Sequence, residues 1–119
     1  MRHEIVFDHF GEDQRIYFDI GRLAALEKLM GTSIQKIIAE GNVGINFVLF
    51  GLTVGLRHHY GNRSAIQRKL EEYFAAGGDL NEIAATIVRA VVASGIFGKE
   101  ESADPELDEK NDQETQSER

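Results

Sequence analysis

Hydrophobic and polar positions change rhythm several times along the chain. In EIVFDHFGEDQRIYFDI, residues 4–20, Ile5 and Phe7 alternate with Val6, and Ile16 and Phe18 alternate with Tyr17. A period of two marks strands, and HFGED between them carries Gly and Asp where a turn needs them. The pattern predicts an N-terminal β-hairpin. One two-stranded hairpin is marginal in water, so it must lie on helices or pair with another chain.

From Asp19 onward the period lengthens. Asp19 can cap a helix in which Leu23, Leu26 and Met30 follow i, i+3, i+7 spacing, with Arg22 and Lys28 facing water. Gly31 fits a left-handed helix end. Thr32 with Gln35 fits a capping box for a second helix. Ile34, Ile37 and Ile38 give that helix a buried stripe, and Gly41 ends it.

A third helix is predicted at about Asn42–Tyr60. At 100° per residue, Val43, Phe47, Phe50 and Val54 share one sector, Gly44, Gly51 and Gly55 the next, and Ile45, Leu49, Leu52 and Leu56 a third. Only Asn46, Thr53 and Arg57 form a polar stripe. A helix apolar around most of its circumference is buried on several sides. Each glycine costs ~1 kcal/mol of helix propensity against Ala, so three of them imply a packing reason, the close approach of another backbone. The uncharged run Gly41–Leu56 is 16 residues, followed at once by RHHY. A span needs ~20 mostly apolar residues, so the run reads as a buried helix and not a membrane segment.

In SAIQRKLEEYFAAGGD, residues 64–79, Ser64 with Gln67 is a start signal and Ile66, Leu70, Tyr73 and Phe74 form a buried face. Gly77 and Gly78 stop this helix. Asp79 with Glu82 opens a last one, with Leu80, Ile83, Ala84, Ile87 and Val91 inward and Arg89 outward. Gly95 ends it, and Ile96 and Phe97 are expected to tuck back onto the core.

Composition adds charge asymmetry. The net charge is −7, and residues 99–119 hold nine acids and three bases, net −6, leaving −1 for residues 1–98. From Gly98 onward the only large aliphatic side chain is Leu107. Such a segment buries too little surface to offset its ordering entropy and is expected to be disordered. The expected fold is α+β and mostly α: an N-terminal β-hairpin and a compact bundle of four or five helices over residues 1–98, then an acidic tail over 99–119. The nearly neutral body lacks a basic footprint for nucleic acid or an anionic membrane. There is no Cys, which removes disulfide and thiolate chemistry. The start MRHEIVFD has no apolar stretch of the signal-peptide kind.

Candidate chemistry is sparse. His58 and His59 are neighbours, so on a helix they point about 100° apart and make poor co-ligands for one metal. They read, with His3 and His9, as solvent-facing histidines. GNVG and GLTVG pair glycines without the Lys-Ser/Thr of a phosphate loop. Ser33, Ser64 and Ser94 sit in no nucleophile elbow. No metal, cofactor or catalytic residue is assigned, and the expectation is a non-enzyme. Arg57, Arg63, Arg68 and Lys69 form one basic cluster, with Glu71 and Glu72 beside it.

The strand-to-helix stretch RIYFDIGRLAALEKLMGTSI resembles the front of the phage tail assembly chaperones, a family that includes gene-transfer-agent relatives. Phe18, Gly21, Leu23, Leu26, Glu27, Leu29, Gly31 and Ser33 match its pattern, and GGDLNEIAATIVRAVVASGIFG looks like its closing helix. The resemblance covers about residues 15–97. It implies a non-enzymatic protein that binds the tape measure protein of a long-tailed phage or prophage, keeps it soluble and helps recruit tail tube subunits. It further implies a frameshifted longer form that recruits the tube protein, self-association, action in the cytoplasm of the bacterial host, and absence from the mature virion. Gly98–Lys99 is where such a frameshift is placed. A chaperone needs apolar surface to offer, and Phe47, Phe50, Val54, Arg57 and Tyr60 are the candidate partner-binding residues. The competing readings are a small nucleic-acid-binding regulator using Arg63, Arg68 and Lys69, and a tail or connector protein retained in the virion.

Overall fold

The computed structural model of the chain describes residues 3–98. The acidic tail expected over 99–119 lies outside these residues. Two short strands, β1 (Ile5–Val6) and β2 (Arg15–Ile16), pair antiparallel with Ile5 opposite Ile16 and Val6 opposite Arg15. Asp13, at φ 64°, takes the left-handed residue of their connection. Five helices follow: α1 (Ile20–Met30), α2 (Ile34–Ala39), α3 (Ile45–Gly55), α4 (Arg63–Ala75) and α5 (Leu80–Ala93). The fold is the expected one, a hairpin leading into a mostly helical body.

Helix α3 is the hub and packs most extensively on α1, α4 and α5, while β1 lies against α5. Phe47, Val48, Leu52 and Leu56 of the α3 region are buried against Leu26, Ile34, Ile66, Ile83 and Ile87 of its neighbours. Each such side chain contributes ~1.5–3 kcal/mol by leaving water. Gly51 and Gly55 allow these approaches. A Cβ on Gly55 would lie 2.7 Å from Ile16 Cγ1 and 3.0 Å from Phe18 Cζ, and one on Gly51 3.0 Å from Ile87 Cγ2. Backbone as well as side chain comes close at Gly55, whose carbonyl accepts from Tyr17 N–H at 3.4 Å. Gly44 has a different role: it is the N-cap of α3 and has open space where a Cβ would stand.

Helix starts are set by side chains one or two residues away from two of the expected caps. Ser33, not Thr32, caps α2 by accepting from Lys36 N–H at 3.1 Å. Glu27 Oε2 reaches across the turn to Ile34 N–H at 2.9 Å, so two free amides of α2 are satisfied from outside the helix. Asn62, not Ser64, caps α4 through Ala65 N–H. Asp19 and Asp79 cap α1 and α5 as expected. Helix α3 is shorter than Asn42–Tyr60 because Gly44 opens it and the chain past Gly55 tightens into turns.

Three side chains differ from expectation in exposure. Arg22 is buried at 6 % exposed and not turned to water, because its guanidinium finds partners at the end of α3. Ile96 and Phe97 are 36 % and 40 % exposed and so do not tuck into the core; the left-handed Gly95 turns the chain off α5 before them. Among the described residues no helix is long and apolar enough to cross a membrane.

Candidate functional site

An open groove of about 590 Å³ lies between α1 and the C-terminal half of α3. Ala25, Lys28 and Leu29 of α1 form one wall, and Phe50, Thr53 and Val54 of α3 the other. Arg57, Gly61 and Arg63, on and after the turn that leaves α3, close the far end. Helical spacing explains the walls. Ala25 and Leu29 are i, i+4 on α1, off the Leu23–Leu26 face that enters the core, and Phe50 and Val54 repeat the spacing on α3.

The floor is apolar. Leu29 is 37 % exposed, Phe50 is half-buried and Val54 is buried at its base. Thr53 does not break this surface, since its hydroxyl donates to Leu49 O at 2.7 Å. The rim is cationic, with Lys28, Arg57 and Arg63 all exposed and no acid among the lining residues. The Arg63 guanidinium carbon sits over the Phe50 ring, 5.0 Å from its centroid and within cation–π range. An apolar floor with a positive rim suits an amphipathic segment carrying acidic flanks.

The structure brings Phe50, Val54 and Arg57 together in this groove and separates the other two candidates from it. Phe47 is 1 % exposed and belongs to the core, because its position on α3 faces the helices packed around it and not the groove. It offers no partner surface in this conformation. Tyr60 holds the hairpin turn: its hydroxyl exchanges hydrogen bonds with the Gln14 amide at 2.9 and 3.1 Å, and its ring meets Phe10 edge-on. Leu29, Ala25 and Lys28 were not candidates from sequence. Their signal is a second, shorter apolar repeat on α1 beside the main stripe.

The basic cluster also divides. Arg63 joins the groove, whereas Lys69 lies 3.9 Å from Glu72 on α4 and Arg68 is exposed beside it.

A second constellation fixes the hairpin to the bundle. Arg22 Nη1 donates to Gly55 O at 3.0 Å and to His58 Nδ1 at 3.2 Å, while its guanidinium carbon stacks 3.8 Å from the Tyr17 ring centroid. His58 Nε2 donates to Arg15 O at 2.8 Å, and Arg15 N–H donates to His59 Nε2 at 3.3 Å. The two histidines are therefore bonded to β2 and not merely turned to solvent. His9 likewise bonds the Thr86 hydroxyl of α5 at 3.2 Å. Desolvation holds the His58 pKa below its ordinary value, reinforced by the charges of His59 and Arg22 against the opposing hydrogen bond to Arg15 O. The neutral ring, protonated on Nε2, satisfies both contacts. Among the described residues no three His, Cys, Asp or Glu side chains group closely enough to hold a metal ion. Searches of family models, curated proteins and solved structures return no match to this chain.

Proposed function

We propose that this chain is a phage or prophage tail assembly chaperone, and that the groove between α1 and α3 receives apolar segments of the tape measure protein. The observation that carries this reading is the open apolar floor of Leu29, Phe50 and Val54 under a rim of Lys28, Arg57 and Arg63. One wall of it is built from α1, the same stretch that carries the resemblance to such chaperones. An exposed apolar surface of this kind is a protein-contact feature. By this reading the protein keeps its client soluble, self-associates, and recruits tail tube protein through a frameshifted longer form. It acts in the cytoplasm of the bacterial host and is absent from the mature virion. A nucleic-acid role has less support, because Lys69 faces Glu72 and Arg63 lies over Phe50.

Co-expression with the tape measure protein encoded beside it tests the proposal. The expected result is that the client becomes soluble with the natural chain and stays insoluble with Leu29→Glu, while the variant keeps its own helical circular dichroism. A client that remains insoluble with the natural chain, or is equally soluble with Leu29→Glu, overturns it.

A further inference from the structure

The groove and the acidic C-terminal segment of the same chain are complementary. Lys28, Arg57 and Arg63 are three of the nine Lys and Arg side chains among the described residues, and they line one groove that no acid enters. Among the described residues none of the three makes an ion pair. Residues 100–109, EESADPELDE, hold six acids and no base. Leu107, the segment's only large aliphatic side chain, sits between Glu106 and Asp108. One leucine among carboxylates is the pattern that an apolar floor inside a cationic rim accepts.

Position allows the contact. Ser94 and Ile96, where the chain leaves α5, share a surface hollow with Ile20 and Leu23 at the N-terminal end of α1. Leu29 lies on the last turn of that helix, six residues from Leu23, or ~9 Å of helical rise. The nine residues from Gly98 to Leu107 span up to ~30 Å when extended. The chain therefore reaches the groove even by a path around α1.

We infer that residues 100–109 dock in the α1–α3 groove of their own chain, with Leu107 over Leu29, Phe50 and Val54 and the flanking carboxylates beside Lys28, Arg57 and Arg63. Joined to the same polypeptide, the segment acts at a high effective concentration, so weak contacts suffice to fill the groove. For its role this rests on the chaperone reading: the segment covers the apolar floor until a client displaces it. The contact itself needs no client and is measured without one.

The absence of cysteine makes the measurement clean, since Ser102→Cys places a single spin label five residues before Leu107. Amide spectra of the intact labelled chain are recorded at ~0.01 M and ~1 M salt, where screening lengths are ~30 and ~3 Å. The expected result is loss of amide signals around Leu29, Val54 and Gly61 at low salt, their recovery at high salt, and their recovery at low salt in Arg57→Glu/Arg63→Glu. Loss centred on another face, no localised loss, or loss arising only when labelled and unlabelled molecules are mixed overturns the inference. A segment that docks while co-expressed client stays insoluble retains this contact and removes the chaperone reading. A soluble client with no docking does the reverse.

Discussion

Gly55→Ala adds one methyl group where the structure leaves no room for it. The new Cβ would stand 2.7 Å from Ile16 Cγ1, 2.9 Å from Ile16 Cδ1 and 3.0 Å from Phe18 Cζ. Ile16 is fully buried and Phe18 nearly so, so neither can swing into solvent. Forcing extra carbon into such a packed site costs ~1–3 kcal/mol. The gain in helix propensity from Gly to Ala is at most ~1 kcal/mol, and less at the last residue of a helix. The net expectation is a loss of ~1–2 kcal/mol, or roughly 4–15 °C in melting temperature for a body of this size. Gly51→Ala is the internal control. Its Cβ would meet Ile87 Cγ2 at 3.0 Å, with no contact as short as the 2.7 Å at Gly55, and Gly51 lies inside α3 where the propensity gain is full. Thermal and urea unfolding followed by far-UV circular dichroism should therefore rank Gly55→Ala below both the natural chain and Gly51→Ala. On an Ile16→Ala background the added methyl finds space, so the two losses should combine less than additively, by about 1 kcal/mol. Equal stability of Gly55→Ala and the natural chain, or a larger loss for Gly51→Ala, would refute the steric account.

Arg22→Ala leaves the Gly55 carbonyl without its guanidinium donor and should cost ~1–3 kcal/mol in urea unfolding; Arg22→Lys should recover only part, lacking the planar group that stacks on Tyr17. Ser33→Ala should lose ~1 kcal/mol by the same assay and Thr32→Ala much less, since the Ser33 hydroxyl accepts from Lys36 N–H. The folded His58 pKa lies below its ordinary value of 6.5, so the unfolded chain binds protons first as pH falls. This part of the stability is complete above pH 6.5 and is lost as pH falls through the folded value. His58→Gln should flatten that slope, and an unchanged slope would assign it to other groups.

Much of the architecture is legible because it repeats locally. The hairpin, the left-handed glycines and the helix stripes all rest on spacings shorter than two turns. What escapes is decided by partners distant in sequence. Arg22 falls on the same α1 face as Leu26, four residues on, and that placement is the sign that its charge would be buried. Its partners, at Gly55 and His58, are 33 and 36 residues away and invisible to periodicity. Phe47 and Phe50 are equivalent on a helix apolar nearly all round; only the positions of the packed helices make one of them core and the other groove wall. At the starts of α2 and α4 several small polar residues stand together, and spacing alone does not single out Ser33 and Asn62, whose extended backbone geometry makes them the caps. Glu27, matched in the resemblance as a single letter, has a physical task as the acceptor for Ile34 N–H.

The first described strand rests against α5, the last described helix, and the His9 imidazole meets Thr86 across 77 positions of sequence. Synthesis from the N-terminus therefore leaves β1 and His9 without this packing partner until α5 emerges.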